Sequence, residues 1–340
     1  MAVLSLRSIA LELTPRCNQR CLYCYNAWRG QAAAPPATEL TTAQVCGLVD
    51  KALADAPLQH VTLTGGEPLL RPDLFEIIAH VNARGLRAAI VSNGRLVDAA
   101  TAQRLARHGV AYVQVTLLGG DAASHDALCG PGSFEGVTRG VERLVAAGVP
   151  VGGSFLCTRR NFAEAGPALG LMHRLGMRCH AAFNRFNPSG PAAAHLHALL
   201  PRRSEVLAAL GAANAFAGEH GFRLHCTMPI PHCMVDAAEF PHVEFGTCSA
   251  ATPQAEYAID PAGNLKLCTL QRHAIGSLLE RGFAELVASE PVGRFRARVP
   301  PFCEPCPLRA SCRGGCGAAA EWVTGDPNAL DPFLAQHVAT

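Results

Sequence analysis

The sequence predicts an α/β fold built on a parallel sheet and followed by a smaller, cysteine-rich domain. Three observations predict it. From the start of the chain to about residue 185, six short apolar segments alternate with helix-like segments, as where parallel strands are joined by right-handed helical crossovers. The composition then shifts over residues 187–203, which hold three prolines. Beyond Leu224 the chain consists of short segments rich in proline and cysteine, which is typical of a small fold held by metal.

The six strand-like segments are Ser8–Leu13, His60–Thr64, Leu86–Val91, Tyr112–Leu117, Val149–Leu156 and Met177–Phe183. The first helical pattern starts at Val45 and shows the apolar i, i+3, i+4, i+7 spacing of a one-sided stripe. Just before it, Thr41 and Gln44 can form a capping box. The further predicted helices are Pro72–Arg84, Asp98–Gly109, Ser133–Gly148, Asn161–Gly176 and Ser204–His220.

The composition excludes several classes of protein. Hydrophobic residues make up 49% and charged residues 16% of the 340 residues, and the mean hydropathy is +0.16, which indicates a well-filled core. The net charge of +2, without a basic run, argues against a nucleic-acid partner. No apolar stretch reaches the ~18 residues of a transmembrane helix. The N-terminus lacks the features of a secretory signal, so we expect a cytoplasmic protein without a membrane partner.

Cysteine is unusually frequent and its positions are clustered. The chain has 15 cysteines, an odd number, and no export signal accompanies them. Three lie near the N-terminus, and six lie between Cys248 and Cys316. Close sets of this kind suit thiolate ligation of metal better than a disulfide framework.

The N-terminal set has the spacing CxxxCxxC, formed by Cys17, Cys21 and Cys24 on the loop after the first strand. Three thiolates can hold three irons of a 4Fe–4S cluster and leave the fourth iron open. An open iron can bind the amino and carboxylate groups of S-adenosylmethionine (SAM). The alternative is a structural zinc site, which needs four protein ligands. No His or Cys follows within twenty residues of Cys24, so the sequence favours the cluster.

Two further motifs follow the next strands. Residues 64–68 read TGGEP after the second strand, and residues 92–94 read SNG after the third. Glycines let a backbone approach a ligand closely, so Gly65 and Gly66 are candidates for contacts with the methionine part of SAM. Asn93 is placed to hydrogen-bond a sugar hydroxyl. Because functional loops gather at the carboxyl ends of parallel strands, three motifs on three successive strand ends point to one site.

Over about residues 1–200 these motifs resemble the radical SAM superfamily. Its CxxxCx(aromatic)C motif is matched with Tyr23 as the aromatic residue, and its GGE segment is matched at residues 65–67. The resemblance implies a partial (βα)6 TIM-type barrel and reductive cleavage of SAM to a 5′-deoxyadenosyl radical. It also implies an adenine contact from Tyr23. The predicted cofactor-binding residues are Tyr23, Gly65, Gly66, Glu67, Ser92, Asn93 and Thr116.

After the fourth strand the chain departs from the family pattern. Members usually read SLDG and then HDxxRG, whereas this chain reads TLLG and then HDALCG. Thr116 keeps the hydroxyl, but Leu118 replaces an acid and Cys129 replaces an arginine. In members the serine and the arginine help to hold the carboxylate of the methionine part. Here we expect this carboxylate to be held more weakly or by a residue elsewhere, and Arg159 is a candidate. The sequence nevertheless favours a solvated loop position for Arg159.

The C-terminal cysteines resemble those of the SPASM domain, which carries auxiliary iron–sulfur clusters in radical peptide- and protein-modifying enzymes. Cys248 is followed after fourteen residues by Gly263 and then, after four more, by Cys268. A C-x2-C-x5-C-x3-C array comes next; its members are Cys303, Cys306, Cys312 and Cys316. A two-zinc ribbon is the alternative.

The resemblance implies one or two auxiliary clusters. The first would use Cys248, Cys268 and Cys316 with an upstream partner, for which Cys233 is the choice and Cys226 the runner-up. The second would use Cys303, Cys306 and Cys312. The family's last cysteine is missing, because none follows Cys316. The substitutes that we consider are Asp326, Asp331 and His337, an open iron, or the absence of this cluster.

The predicted domains are a radical SAM core over 1–200, a bridging helix and strand over 201–225, and a SPASM-like domain over 226–340. The leading functional hypothesis is modification of a ribosomally made peptide by crosslinking, oxidation or epimerisation. The alternatives are radical oxidation or epimerisation of a small molecule, and a non-catalytic metal-binding protein. Hydrogen abstraction depends on positioning and exclusion of water, so the sequence identifies no general acid or base.

The expected partners follow from the peptide hypothesis. They are a precursor peptide and an electron donor such as flavodoxin or ferredoxin. The cluster motif begins only 16 residues into the chain, so no peptide-recognition domain is expected before it. A separate leader-binding protein, or this core itself, would then bind the leader segment.

Overall fold

An eleven-stranded sheet organises the part of the chain that the computed structural model describes, residues 6–27 and 39–338. Its order is β11-β10-β9-β1-β2-β3-β4-β5-β6-β7-β8. The strands are β1 (Ser8–Glu12), β2 (His60–Thr64), β3 (Arg87–Ser92), β4 (Tyr112–Thr116), β5 (Val151–Cys157), β6 (Ala181–Arg185), β7 (Leu224–Cys226), β8 (Val243–Phe245), β9 (Tyr257–Ile259), β10 (Asn264–Lys266) and β11 (Gly276–Ser277).

The predicted α/β class and its parallel sheet are confirmed. Neighbouring strands from β1 to β8 all pair in parallel, and helices connect the first six. Five of the six predicted strands lie where the sequence places them. The sixth begins at Ala181 and not at Met177, because residue 177 is still bonded to the end of the preceding helix and a bend follows at residue 179. There the Met177 N–H donates to the carbonyl of Met172 at 3.0 Å.

Helices cover the sheet and continue into the C-terminal region. They are α1 (Thr42–Asp55), α2 (Leu74–Ala83), α3 (Ala99–Arg107), α4 (Ala122–Cys129), α5 (Ser133–Ala146), α6 (Ala165–Arg174), α7 (Leu196–Leu199), α8 (Arg203–His220), α9 (Phe283–Val287), α10 (Glu290–Ala297), α11 (Arg309–Cys312), α12 (Gly317–Thr324) and α13 (Pro332–Val338). The predicted capping box of α1 is present: the Gln44 N–H donates to Thr41 Oγ1 at 3.3 Å, and the Thr41 N–H donates to Gln44 Oε1 at 2.9 Å. The sequence analysis did not anticipate α4.

The sheet continues across the predicted domain boundaries. β7 and β8 extend it beyond β6, while β9 returns to pair in parallel with β1 on the opposite side. β10 and β11 then add antiparallel strands to that edge. One hydrophobic core runs through both regions, from Leu6 to Leu334. The C-terminal cysteine-rich region is therefore joined to the first strand of the barrel-like core.

None of the helices in the described part of the chain has the length and apolar character that a membrane crossing requires.

Candidate active site

An open cleft lies at the carboxyl ends of the first four strands and encloses about 660 Å³ of space, including its mouth. The predicted site residues that line it are Cys17, Cys21, Tyr23, Cys24, Gly65, Gly66, Ser92, Asn93 and Thr116. The lining residues that the sequence analysis did not select for the site are Gln19, Tyr25, Asn26, Thr64, Val91, His125, Cys129 and Val137. The motifs on successive strand ends thus come together at one site.

The loop after β1 carries the cysteine triplet and folds into a tight turn. The Cys24 N–H donates to the carbonyl of Cys21 at 3.2 Å, and the Cys24 carbonyl accepts from Ala192 at 3.0 Å. Asn93 reaches the loop from the end of β3. Its Nδ2 donates to Asn18 Oδ1 at 2.7 Å and lies 3.9 Å from Cys17 Sγ. All three cysteines line the cleft together with residues at the ends of β2, β3 and β4.

Gly65 and Gly66 are required because two stretches of backbone approach each other there. The Gly66 N–H donates to the carbonyl of Thr14 at 2.7 Å, and a Cβ on Gly66 would lie 2.0 Å from the carbonyl oxygen of Arg16. Gly65 has a φ of +125°, a conformation that other residues rarely adopt. The two glycines thus bring the cysteine loop against the end of β2 in addition to forming part of the cleft wall.

Glu67 differs from the other predicted cofactor-binding residues, because its side chain is not part of the cleft wall. The carboxylate is fully buried and accepts hydrogen bonds from Ser92 Oγ at 2.8 Å, the Asn93 N–H at 2.8 Å and the Leu69 N–H at 3.1 Å. Burial raises its pKa from 4.5 to about 6. Glu67 therefore joins the end of β2 to the end of β3 and fixes the two residues that do line the cleft.

One oxygen of Asn26 is buried and has no hydrogen-bond partner in the described part of the chain. Its Nδ2 donates to the carbonyl of Gly65 at 2.6 Å, while its Oδ1 has no hydrogen-bond partner among the described residues. A buried polar atom without a partner is costly unless a ligand or water completes it. Asn26 lines the cleft, so this oxygen is suited to accept a hydrogen bond from a bound molecule.

The HD motif after β4 holds this corner of the cleft together. The Leu118 N–H donates to His125 Nδ1 at 3.2 Å, and His125 Nε2 lies 3.2 Å from Ser133 Oγ. Burial lowers the pKa of His125 to about 4, so the ring is neutral at pH 7. The Asp126 carboxylate accepts from the N–H groups of Gly132 and Phe134, both at 2.7 Å, at the start of α5.

The two departures from the family pattern have different environments. Leu118 is completely buried in the hydrophobic core, so an apolar residue suits its position. Cys129 lines the cleft, and its Sγ lies 3.4 Å from the hydroxyl of Tyr23. A hydrogen bond with the Cys21 side chain lowers the pKa of Cys129. Arg159 lies elsewhere: it donates to the carbonyl of His197 at 3.1 Å and is not part of the cleft wall.

The C-terminal thiols form two groups. Cys248, Cys268 and Cys316 are close neighbours and are called the first thiol group. Burial, followed by the effect of these neighbours, raises the pKa of Cys268 to about 12. Burial also raises the pKa of Cys316 to about 11, with nearby Asp331 and Cys248 adding to the shift. The backbone of Cys316 is fixed by Asp331, whose carboxylate accepts the Cys316 N–H at 2.7 Å.

Cys303, Cys306 and Cys312 are neighbours of one another and are called the second thiol group. Cys233 lies beside this group, whereas the sequence analysis placed it with the first. The reason is spatial: the loop before Cys233 packs against Gly315, next to the second group. Cys226, the runner-up, is buried on β7 with its Sγ 3.5 Å from the Met228 carbonyl.

Two of the candidate substitutes for the family's last cysteine are engaged elsewhere. Both carboxylate oxygens of Asp331 are occupied, by an ion pair with Arg185 and by two backbone N–H groups. Asp326 accepts the N–H of Asn328 at 2.8 Å within its own turn. No three His, Cys, Asp or Glu side chains in the described ranges converge as they would around a single metal ion. An iron–sulfur cluster takes one thiolate per iron and does not need that convergence.

Comparison with known proteins decides the family. Residues 11–161 match the radical SAM superfamily model. PqqA peptide cyclase of Xanthomonas euvesicatoria is 30% identical over 336 residues, which cover 96% of this chain and 86% of that protein. The chain belongs to the radical SAM superfamily. AdoMet-dependent heme synthase of Methanosarcina barkeri is 35% identical, but over only 178 residues, or 52% of this chain and 50% of the relative.

A solved structure shows the same fold. SuiB of Streptococcus suis, crystallised with its precursor peptide SuiA, superimposes with a TM-score of 0.75. The superposition covers 96% of this chain and 75% of SuiB, at 13% sequence identity. At this identity the likeness shows the fold alone. It extends over the cysteine-rich C-terminal region as well as the radical SAM core.

The residues of the cleft fit the cofactors of a radical SAM enzyme. The cysteine triplet offers thiolates, the usual ligands of iron–sulfur clusters. Asn26 Oδ1 offers a buried acceptor to an amino or hydroxyl donor of SAM. With its cofactors bound, the site supplies one-electron cleavage of SAM and abstraction of a substrate hydrogen atom. The chain's own residues hold the loop, orient the strand ends and separate the cleft from the core.

Proposed function

We propose that this radical SAM enzyme modifies a ribosomally made precursor peptide by hydrogen abstraction. The observation that carries the proposal is the extent of its similarity to PqqA peptide cyclase, which spans 96% of the chain. At that coverage the similarity extends over the cysteine-rich C-terminal region. The similarity to the heme synthase covers about half of the chain. The cysteine-rich region is thus shared with a relative named for a peptide substrate.

The geometry of the cleft is compatible with a peptide that enters from the carboxyl ends of the strands. Thr116 lines the cleft, and Gln114 and Tyr112 share its face of β4, because side chains alternate along a strand. His180 Nε2 lies 3.1 Å from Gln114 Oε1, and its ring stacks edge-on against Tyr112 with centroids 4.8 Å apart. The side chains of Tyr112, Gln114 and His180 therefore occupy the space below Thr116, so a peptide would enter the cleft through its mouth.

Exclusion of water supports the same chemistry. A reactive carbon-centred species must meet its substrate before it meets any other hydrogen donor, so the substrate has to be held close and dry. Val91 and Val137 line the cleft, so part of its wall is apolar.

We further propose that the C-terminal thiol groups hold one or two auxiliary iron–sulfur clusters and that a flavodoxin or ferredoxin supplies electrons. Cys268 and Cys316 are buried thiols that a folded protein keeps protonated when no metal is bound. Ligation of iron by thiolates explains why so many thiols lie close together in this region. A leader-binding protein, or this core, would hold the precursor peptide during the reaction.

Co-expression tests the proposal. The chain is produced in an anaerobic bacterial host together with each short reading frame found beside its gene, and the peptides are analysed by mass spectrometry. We expect one peptide to change mass by the loss of hydrogens, or to exchange one hydrogen with solvent deuterium on epimerisation. The change should disappear when Cys17, Cys21 and Cys24 are replaced by Ala. If every such peptide remains unchanged while the enzyme still cleaves SAM, the substrate is not a neighbouring peptide and a small molecule becomes the alternative.

A further inference from the structure

The loop before Cys233 is held firmly against the second thiol group. The carbonyl of Pro229 accepts from Arg185 at 3.1 Å, and the carbonyl of Met234 accepts from Arg203 Nε at 2.8 Å. Pro231 packs on the C-terminal array, because a Cβ on Gly315 would lie 3.0 Å from its Cγ. The loop is thus fastened to β6, to α8 and to the backbone between Cys312 and Cys316.

The same stretch of backbone touches the second thiol group. A Cβ on Gly314 would lie 3.1 Å from Cys303 Sγ, and Gly314 is the direct neighbour of the glycine that meets Pro231. Cys233 follows Pro231 by two residues and so lies on the same side of the array as Cys303. Burial, with Cys312 and Cys306 nearby, raises the pKa of Cys233, and burial, with Cys312, Cys233 and Cys306 nearby, raises the pKa of Cys303.

Cys233 itself is exposed, although the residues that follow it are buried. Met234 is 0% exposed and Val235 is 3% exposed. A free cysteine is among the most buried residue types, so an exposed thiol on a rigid loop is unusual unless it has a ligand role. The buried neighbours fix the loop, and the thiol is left accessible beside three others.

We propose that Cys233 is the fourth ligand of an auxiliary iron–sulfur cluster held by the second thiol group, Cys303, Cys306 and Cys312. Four thiolates are the usual ligand set of such clusters. Cys233 takes the place of the family's last cysteine, which this sequence lacks after Cys316. The ligand comes from upstream in the sequence because the loop after β7 passes beside the array. The assignment concerns cluster binding and does not depend on which substrate is modified.

The other candidates fit less well. Asp331 is occupied by Arg185 and by the N–H groups of Cys316 and Phe333. Cys226 is buried on β7, and it is a neighbour of the buried Cys157, whose pKa is raised by burial and then by the nearby Glu205 and Cys226. The assignment leaves the first thiol group with three cysteines.

Iron content and spectroscopy of the reconstituted full chain test the assignment. Cys233→Ala is compared with Cys312→Ala. The matched control is Cys226→Ala, which removes the other upstream cysteine. We expect Cys233→Ala and Cys312→Ala to lose up to about four irons per chain or to change the same component of the electron paramagnetic resonance spectrum after reduction. Cys226→Ala should retain both. If Cys233→Ala keeps its iron content and its spectrum, the assignment is wrong. Zinc bound at this site would also overturn it. So would a spectral change in Cys233→Ala that matches the change in Cys248→Ala, because Cys248 belongs to the first thiol group.

Thiol labelling of the unmutated protein provides a second test that does not depend on the folding of a variant. The iron-loaded protein and the chelator-stripped protein are treated with iodoacetamide, and each cysteine is located by mass spectrometry. We expect Cys233 to be protected in the loaded protein and alkylated after stripping, while the partly exposed Cys46 on α1 reacts equally in both. Equal alkylation of Cys233 in the two samples contradicts the proposal.

Discussion

The ammonium of Lys266 lies 2.8 Å from a carboxylate oxygen of Glu12, and both side chains are buried. Glu12 is the last residue of β1, directly before the cysteine loop, and Lys266 is the last residue of β10, two residues before Cys268. Lys266 Nζ also lies 3.5 Å from the carbonyl of Thr269. One buried ion pair thus links the loop of the cysteine triplet to the first thiol group.

Breaking this ion pair should be costly. Replacement of Lys266 by Met leaves the Glu12 carboxylate without its cation, and losing one partner of a buried pair typically costs ~3–5 kcal/mol of unfolding free energy. The double variant Glu12→Gln/Lys266→Met should recover part of that loss. The measurement is anaerobic urea unfolding followed by circular dichroism.

The matched control for that prediction is Arg139→Met. Arg139 pairs with Glu135 at 2.7 Å on the surface of α5, with both side chains more than half exposed, so its loss should cost less than ~1 kcal/mol. If Lys266→Met is no more destabilising than Arg139→Met, the buried pair does not stabilise the junction.

Gly66→Ala should disrupt the cleft. The added methyl group would lie 2.0 Å from the carbonyl oxygen of Arg16, so the cysteine loop must move. We expect a loss of ~1–3 kcal/mol of stability and weaker SAM binding, measured by urea unfolding and equilibrium dialysis. Gly47→Ala on α1 is the control, because no atom lies within 4 Å of its added methyl group. That control should gain up to ~1 kcal/mol. Normal SAM binding by Gly66→Ala would refute the close approach.

Glu67 should make stability depend on pH in a defined direction. Because burial raises its pKa from 4.5 to about 6, the folded state holds this proton more tightly than the unfolded chain does. The stability that the protonated Glu67 contributes is therefore fully present below about pH 4.5, and it is lost as the pH rises through 6. The loss amounts to ~2 kcal/mol, from 1.36 kcal/mol per pKa unit.

The variant Glu67→Gln removes this titration and also mispairs one of the buried N–H groups. Its stability deficit relative to the unmutated protein should be largest near pH 4.5 and should shrink by ~2 kcal/mol by pH 7.5. Urea unfolding at several pH values measures the difference. A deficit that is constant over this range would show that Glu67 has an ordinary pKa.

Cys129 should not be a ligand of the catalytic cluster. Although it lies beside Tyr23 and Cys21, the triplet already supplies three thiolates. We expect Cys129→Ala to keep the iron of the cluster bound by the triplet, whereas Cys21→Ala loses it. Iron analysis after anaerobic reconstitution measures both. Cys129→Arg, which restores the family residue, should bind SAM more weakly because its longer side chain overfills a site that is only 4% exposed. Iron loss in Cys129→Ala equal to that in Cys21→Ala would identify Cys129 as a ligand.

Much of the core could be predicted because its signals are local. Apolar strands such as residues 60–64 and the capping box of Thr41 and Gln44 are defined by neighbours in the sequence. The cysteine triplet and the glycines at 65 and 66 are local motifs as well. Their meeting at one cleft follows from the parallel order of the strands.

The remaining features depend on contacts between distant parts of the chain. β9 and β10 are three residues long, and only the pairing of β9 with β1 and of β10 with β9 reveals them as strands of the main sheet. The sequence shows Cys129 only as a departure from the family pattern, because no local pattern shows that α4 ends at the cleft. The sequence analysis assigns Cys233 to the first thiol group from the family resemblance and from its proline-rich loop, whereas that loop packs on Gly315 and lies beside the second group.

The proposal that a peptide supplies the abstracted hydrogen is tested most directly by isotope transfer. The reconstituted enzyme is incubated anaerobically with SAM, a reductant and a fully deuterated precursor peptide from the neighbouring reading frame, and the mass of the 5′-deoxyadenosine is measured. We predict that one deuterium atom appears in the 5′-deoxyadenosine and that the peptide changes mass. Unlabelled 5′-deoxyadenosine alone, with an unchanged peptide, would contradict the account.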